Sequence, residues 1–278
     1  VEERGVRLVR LWFTDVLGQL KSFAISPAEL ESAFDEGMQF DGSSIEGLTR
    51  VYEADMLARP DPSTFQVLPW RNTDEHQGTA RIFCDIYNPD GSPSWADPRH
   101  VLARAIERLQ AAGYHPVMAA ELEFYLLDAK RDAAGHPQPA AFANGERPQA
   151  PQVYGVLELE RLDAFLDDLY RACEAGGLPV RTAISEYAPG QLEITLQHRH
   201  DALQAMDEAV RYKRLVRGVA LSHGLQACFM AKPFAELAGS GLHLHASLAD
   251  AEGRNLFACE VEALERGDRD GAATLLRQ

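Results

Sequence analysis

The chain of 278 residues is 46% hydrophobic and 25% charged, which is ordinary for a globular protein and sufficient for a large core in one or two domains. Its net charge of −15 argues against nucleic acid or an acidic membrane as the main partner, because such binding requires basic patches. No apolar run approaches the roughly 20 residues that span a bilayer. The four cysteines are widely spaced, which predicts reduced thiols in a cytoplasmic protein.

The two ends of the chain suggest that it is part of a longer protein. It begins at Val1 without an initiator methionine, and its charged first residues lead us to expect no signal peptide. It ends in A-A-T-L-L-R-Q, a helical pattern without a cap or a breaker. We therefore expect a fragment.

The first 95 residues predict a small mixed α+β domain. Residues 6–13 and 20–25 have the composition of strands, and Ser26-Pro27 begins a short helix. Further strands are expected over 64–68 and 79–86. The segment F-D-G-S-S-I-E-G at 40–47, which precedes these strands and is rich in turn residues, is interpreted as a turn.

Clustered proline and glycine at residues 88–98 indicate a boundary, so that a second domain is expected over 96–278. Its elements predict one curved sheet flanked by helices, and an α+β class for the whole chain. In chain order they are a helix from Asp97-Pro98, a strand at 117–127, a surface loop at 129–152, a helix at 158–175, strands at 179–186 and 192–197, a helix at 201–223, and strands at 225–230 and 242–248.

The stretch A-E-L-E-F-Y-L-L, residues 120–127, carries an unusual pair of acidic side chains. As a strand, it places Glu121 and Glu123 on one face and Leu122 and Phe124 on the other. Carboxylates this close repel each other, and their burial is costly unless cations or hydrogen bonds compensate. The strand therefore either has a hydrated acidic face or forms one wall of a metal site.

Two later strands show the same division between a polar and an apolar face. In S-E-Y-A-P-G-Q-L-E-I-T-L, the turn at Pro189-Gly190 can return Glu186 to the side of Glu193. In G-S-G-L-H-L-H-A-S-L, the residues that share one face are His243, His245 and Ser247.

If the three polar faces converge, they place four carboxylates and an imidazole in one cleft. Oxygen-rich ligation with one histidine suits Mg²⁺ or Mn²⁺ better than structural Zn²⁺. Several carboxylates also suggest two ions, an arrangement that commonly holds phosphoryl groups. The alternative is three independent hydrated strand faces.

Five motifs resemble, in order, those of the glutamine synthetase family. The resemblance implies a small β-grasp N-terminal domain, a catalytic domain on a curved antiparallel sheet, and homo-oligomeric rings, often dodecamers, with active sites between neighbouring subunits. The motifs are F-D-G-S-S at 40–44, E-L-E-F-Y at 121–125, E-Y-A-P-G-Q-L-E-I at 186–194, F-M-A-K-P-F at 229–234 and G-S-G-L-H-L-H-A-S-L at 239–248.

The resemblance implies two metal sites. Glu123, Glu186 and Glu193 would bind one Mg²⁺ or Mn²⁺ ion, which shields the attacked γ-carboxylate of the substrate. Glu121 and His243 would bind the second ion, which holds the phosphates of ATP. Cation binding would make the carboxylate cluster tolerable.

The resemblance also implies residues for the substrates. His245 and Ser247 would lie along the nucleotide, and Gly239 would offer its backbone to L-glutamate. Asp41 of a neighbouring subunit would help to bind and deprotonate the incoming amine, with Ser44 nearby. ATP would phosphorylate the γ-carboxylate of glutamate, and the amine would displace phosphate from γ-glutamyl phosphate.

Some residues depart from the family pattern. Ile184 and Ser185 stand where ammonia-using members usually have histidines. Ala238 replaces a common asparagine, and Leu48 a common aromatic residue. The departures favour the γ-glutamylpolyamine synthetase branch, whose acceptor is an organic amine such as putrescine. Glutamine synthetase proper, which uses ammonia, is the alternative.

Two other classes remain open from the sequence. One is a non-catalytic member that keeps the fold, and the other is a metal-dependent hydrolase, for which no nucleophile motif is present. Family chains also continue well beyond the G-S-G-x-H-x-H strand, with arginines for glutamate and phosphate. We therefore expect the 278-residue chain alone to lack an intact active site, and its longer parent to be active.

Overall fold

The computed structural model describes residues 1–45, 55–68, 78–142, 144–148 and 153–257. Leu48 and the helical pattern expected at the end of the chain lie outside these ranges. Within them the chain forms two β-sheets with associated helices, which confirms the α+β class. No helix in the described part is long and apolar enough to cross a membrane.

The first sheet is built from the N-terminal part of the chain. Its strand order is β2-β1-β6-β4-β3, with β5 beside β6. The pair β1–β6 is parallel, and the other pairs are antiparallel. The elements are β1 (Leu8–Thr14), β2 (Leu20–Ile25), α1 (Leu30–Asp35), β3 (Met38–Asp41), β4 (Asp55–Pro60), β5 (Gln66–Val67) and β6 (Thr79–Tyr87).

Alternating apolar residues create the core of this sheet. Val9, Leu11 and Phe13 of β1 point to the same face, because successive side chains of a strand alternate. All three are buried, and they belong to one apolar cluster with Leu30 and Ala33 of α1. The short helix α1 thus covers one face of the sheet.

The second sheet contains the strands with the candidate site residues. Its strand order is β10-β7-β9-β8, with β11 also paired to β7, and every pair is antiparallel. The helix expected over 158–175 is divided into two near Arg161. The elements are α2 (Pro98–Ala111), β7 (His115–Asp128), α3 (Val156–Glu160), α4 (Asp163–Ala175), β8 (Val180–Ser185), β9 (Gln191–Leu196), α5 (Ala202–Ser222), β10 (Leu225–Cys228) and β11 (Leu242–Ala249).

The long strand β7 is the centre of this sheet. Strand β9 pairs with one of its edges, while β10 and β11 lie one after the other along the opposite edge. Leu122, Phe124 and Leu126 of β7 form a core with Tyr212 and Val216 of α5. Because this apolar face is covered by the helix, the acidic residues of β7 face away from the core.

The turn predicted over 40–47 is only partly correct over residues 40–45, and residues 46 and 47 lie outside the described ranges. Phe40 and Asp41 are the last residues of β3, and a 3-10 helix, Gly42–Ser44, follows them. Strand β3 has four residues, and it is defined by its antiparallel pairing with β4. A pairing between separate segments leaves no periodic pattern in so short a stretch, which is why the sequence did not predict it.

A buried guanidinium connects the two halves of the chain. Arg99 of α2 donates hydrogen bonds to Asp61 at 2.9 Å, to Asp85 at 2.6 Å and to Asp207 of α5 at 3.0 and 3.1 Å. Burial lowers the pKa of a guanidinium, but these carboxylates raise the pKa of Arg99 above its ordinary value. Arg99 therefore remains charged at the junction between the sheets.

Candidate metal centre

The strand register brings the predicted polar faces together. Glu121 of β7 lies opposite Thr195 of β9 and His243 of β11, and Glu123 lies opposite Glu193. Directly opposed residues of neighbouring strands point to the same face of a sheet. The carboxylates and the imidazole therefore share one surface across three adjacent strands.

Glu121 is at the centre of this surface. Its Oε1 atom is 2.7 Å from His243 Nδ1, and its Oε2 atom is 3.0 Å from His245 Nε2. Partial burial acts to raise the pKa of Glu121. The hydrogen bonds with the two histidines lower it, and their combined effect is the larger, so the pKa lies below its ordinary value. The hydrogen bond with Glu121 in turn raises the pKa of His243.

Glu193 is the most perturbed carboxyl group of the cluster. The residue is buried, with 7% of its surface exposed. Burial, followed by the charge of Glu121 and a hydrogen bond between the two groups, raises the pKa of Glu193 to about 7. Further contributions come from Glu186 and Glu123. The described residues thus leave a concentration of negative charge that a cation would neutralise.

The geometry of this cluster fits a divalent cation. Glu121, Glu193 and His243 each offer a ligand atom, and these atoms lie within 4.8 Å of one another. Carboxylate oxygens with an imidazole nitrogen form a donor set suited to Mn²⁺ or Mg²⁺. A β-carbon at Gly241 would lie 2.8 Å from Glu123 Oε1 and 3.2 Å from the His243 ring, so a larger residue at this position would displace these groups.

Glu123 and Glu186 lie near this group of three. Glu123 Oε2 accepts a hydrogen bond of 2.6 Å from Gln191 Nε2. Glu186 follows the end of β8, and burial together with the charges of Glu123 and Glu121 raises its pKa. The structure thus brings all five predicted metal ligands into one electrostatic cluster. Their division between two ions stays a prediction.

The remaining predicted residues are distributed more widely. The Gly239 carbonyl accepts a hydrogen bond from Gln191, and Ser247 lies further along β11, where its hydroxyl donates to Asn255 at 3.1 Å. Asp41 is the last residue of β3, in the other sheet, and Ser44 ends the 3-10 helix that follows it. Asp41 accepts hydrogen bonds from Ser43, which lower its pKa. The roles of these residues toward substrates stay predictions.

Two residues of this region were not assigned by the sequence. Gln191 is almost fully buried between the cluster and the Gly239 carbonyl. Tyr154 has a φ of 57°, a left-handed conformation that is costly for a bulky residue, and its N–H donates to the Ser185 carbonyl beside Glu186. Gln191 could have been noticed as part of the E-Y-A-P-G-Q motif, whereas no pattern in the loop around Tyr154 indicates its backbone conformation.

Comparison with protein-family models identifies both parts of the chain. Residues 5–89 match the model described as glutamine synthetase, beta-Grasp domain, and residues 95–267 match the model described as glutamine synthetase, catalytic domain. The chain belongs to the glutamine synthetase family. Its two sheets are accordingly those of the β-grasp domain and of the catalytic domain with its curved sheet.

Similar curated proteins carry the family name. A glutamine synthetase from Mycolicibacterium smegmatis is 48% identical over 271 residues, which is 96% of this chain and 58% of that protein. A glutamine synthetase from Halobacterium salinarum is 38% identical over 93% of this chain and 55% of that protein. The chain thus spans a little over half the length of these relatives.

Solved structures of related proteins have the same fold. One, described as "GmaS/ADP complex-Conformation 1", superposes with a TM-score of 0.82 at 28% identity, over 93% of this chain and 57% of that one. Another, described as a novel glutamine synthase homolog, has a TM-score of 0.76 at 26% identity, over 91% of this chain and 57% of that one. The similarity extends over both sheets.

Proposed function

We propose that the protein is a glutamine synthetase, which joins ammonia to the γ-carboxylate of L-glutamate with consumption of ATP and formation of γ-glutamyl phosphate. The observation that carries the proposal is the group formed by Glu121, Glu193 and His243, in a chain that belongs to this family. A purely structural relative has no reason to keep a repulsive carboxylate cluster, which argues against a non-catalytic member.

Within this proposal, the residues of the cluster hold two divalent cations. Glu123, Glu186 and Glu193 face the cation next to glutamate, and Glu121 and His243 face the cation next to ATP. Bound Mg²⁺ or Mn²⁺ would supply charge neutralisation between the phosphates and the γ-carboxylate. The raised pKa of Glu193 supports this arrangement, because burial and then the charges of Glu121, Glu186 and Glu123 cause it, and a cation would relieve both effects.

Other residues are proposed to bind the substrates. The exposed backbone of Gly239 would contact glutamate, and His245 and Ser247 would contact the nucleotide. Asp41 ends strand β3 of the first sheet and Ser44 lies in the 3-10 helix after it. Both are proposed to act on the incoming ammonium in the active site of a neighbouring subunit. This requires a ring of subunits, for which we propose the dodecamer common in the family.

The relatives favour ammonia over a polyamine as the acceptor. The curated relatives reported above, at 38 to 48% identity, are named glutamine synthetase, and none of them is named for a polyamine. The departure at Ser185 also carries little weight, because this residue is buried and its hydroxyl accepts a hydrogen bond from Gly155 N–H at 2.7 Å. The polyamine branch, our first expectation, therefore becomes the second candidate.

The test is release of phosphate from ATP by the purified full-length protein with glutamate and Mg²⁺. With ammonia we expect phosphate release that stops when glutamate is omitted. Faster release with putrescine than with ammonia would restore the polyamine branch. Absence of phosphate release with every amine, together with absence of Mn²⁺ binding, would favour a non-catalytic member.

Two further points stay proposals. We propose a domain division of 1–95 and 96–278. We also propose a cytoplasmic location, because the described cysteines Cys84, Cys173 and Cys228 are free, and burial raises the pKa of the Cys84 and Cys173 thiols so that they remain protonated.

A further inference from the structure

Every hydrogen-bonding group of the Gln191 side-chain amide has a partner. The residue is 2% exposed and begins β9. Its Nε2 group donates to Glu123 Oε2 at 2.6 Å and to the Gly239 carbonyl at 2.9 Å, and its Oε1 atom accepts from Ala188 N–H at 3.1 Å. Both donor hydrogens and the carbonyl oxygen of the amide therefore have partners.

The three partners belong to three different parts of the candidate site. Glu123 is a proposed metal ligand on β7. Gly239 lies in the loop between β10 and β11, residues 229–241, which is proposed to contact glutamate and is called the Gly239 loop. Ala188 lies in the turn between Glu186, another proposed ligand, and β9. One buried amide thus ties together two strands, a loop and a turn, so that a displacement at one partner is transmitted to the others.

The hydrogen bond also determines which oxygen of Glu123 is available. Oε2 is occupied by Gln191, and Oε1 lies near Gly241, where a β-carbon would be 2.8 Å away, next to the His243 ring. Hydrogen bonds to a ligating carboxylate orient it and reduce its freedom before the cation arrives. In this position Gln191 would hold Glu123 in an orientation suited to binding.

We propose that Gln191 is a positioning residue that couples the Glu123 carboxylate to the backbone of the Gly239 loop, so that cation binding and glutamate binding influence each other through its amide. The part that concerns glutamate rests on the proposed function, whereas the part that concerns the cation does not. The chemistry requires a double hydrogen-bond donor at position 191, because both acceptors there are oxygens.

The Gly239 loop has other attachments that do not involve a carboxylate. Tyr125 OH donates to the Ala238 carbonyl at 2.6 Å, and Ser240 N–H donates to the Ala231 carbonyl at 2.8 Å. Tyr125→Phe therefore removes one attachment of the loop without changing a hydrogen bond of Glu123. This variant therefore tests whether a looser loop by itself, with the Glu123 carboxylate still oriented by Gln191, changes Mn²⁺ binding.

The experiment compares Mn²⁺ affinity, measured by isothermal titration calorimetry, in the purified protein and its variants. Gln191→Met keeps the length of the side chain and removes both donors, and we expect its Mn²⁺ affinity to fall on the order of 10-fold. Tyr125→Phe should bind Mn²⁺ as the unchanged protein does. Gln204→Met is the matched control, because it removes an amide that contacts Glu208 on α5, outside the site.

A second measurement follows the loop itself. Without Mn²⁺, hydrogen exchange of the backbone amides at 239–241 should be faster in Gln191→Met than in the unchanged protein and in Gln204→Met. In the ligase assay, Gln191→Met should raise the KM for glutamate more than Tyr125→Phe does. Gln191→Asn, which is one methylene shorter, should not restore either property.

Two outcomes would overturn the inference. One is a lower melting temperature of Gln191→Met with unchanged Mn²⁺ affinity, which would leave only a structural role. The other is unchanged exchange at 239–241. If Gln191→Met does not fold, Gln191→Asn takes its place in both measurements. In the full-length protein, Mn²⁺ binding without ligase activity would refute the proposed function alone, whereas absence of Mn²⁺ binding would refute both.

Discussion

Glu121 on β7 lies opposite His243 on β11, and His243 Nδ1 is 2.7 Å from Glu121 Oε1. Strand pairing therefore places a carboxylate and an imidazole, 122 positions apart in the chain, in direct contact. The same carboxylate contacts His245, and it shares a hydrogen bond with Glu193. Removal of any partner should change how this group binds a cation.

Mn²⁺ should stabilise the protein through this group. A ligand at about 100 times its dissociation constant stabilises the folded state by about 2.7 kcal/mol, and a tenfold loss of affinity removes about 1.4 kcal/mol of this. We expect His243→Ala to show at least that loss, measured as a smaller rise of the melting temperature with Mn²⁺. The control is His136→Ala, on an exposed loop where the hydrogen bonds and the ion pair recorded for His136 among the described residues are with Asp132. An equal rise in both variants would contradict the site.

The stability of the metal-free protein should depend on the Glu193 carboxyl. Its pKa is about 7 in the folded protein against an ordinary value of 4.5, so the folded state holds this proton more tightly than the unfolded state does. The contribution is complete below the ordinary pKa and is lost as the pH rises toward about 7. In EDTA, the melting temperature of the unchanged protein should therefore fall more steeply over this range than that of Glu193→Gln. Parallel curves would exclude the effect.

Arg99 should be essential for stability, because it connects the two halves of the chain. Arg99→Met would leave Asp61, Asp85 and Asp207 without their common partner, and breaking such a buried ion pair costs about 3–5 kcal/mol. Urea unfolding measures this loss. Arg171→Met is the control, because Arg171 forms an exposed ion pair on α4 that is worth about 0–1 kcal/mol. Similar losses in the two variants would show that burial of the Arg99 cluster is unimportant.

Gly241→Ala should weaken metal binding while changing the stability of the protein only slightly. The added methyl group would lie 2.8 Å from Glu123 Oε1, and the carboxylate can move away more easily than the backbone can. We expect weaker Mn²⁺ binding in calorimetry with a small change of melting temperature. Gly253→Ala, in a turn where a β-carbon meets open space but φ is +80°, controls for loss of glycine itself. Unchanged Mn²⁺ affinity of Gly241→Ala would refute the close approach.

The strand patterns explain why the candidate ligands could be predicted. Because the side-chain period of a strand is two, Glu121 and Glu123 share a face whatever the rest of the chain does. His243 and His245 share a face for the same reason. The motifs then supplied the family, which the matches to both family models confirm. The assignment of each residue to one of two ions is not tested by these matches.

Contacts between distant segments could not be predicted in this way. The four-residue strand β3 exists through its pairing with β4, and it leaves no pattern of its own. Arg99 lies in the helix predicted to begin at Asp97-Pro98, and nothing in that pattern indicates that its guanidinium contacts carboxylates from two other segments and α5. Such contacts depend on how elements pack, and local periodicity does not report packing.

By itself, the sequence determined the family, the α+β class and the faces on which the carboxylates and histidines lie, because these follow from motifs and from the period of a strand. Only the tertiary structure decided that Glu121 contacts two histidines and that Glu193 is buried among like charges. It also decided that Gln191 joins Glu123 to the Gly239 loop. The physical reason is that hydrogen bonds and charge interactions act over a few ångströms, and register and packing bring the groups within that distance.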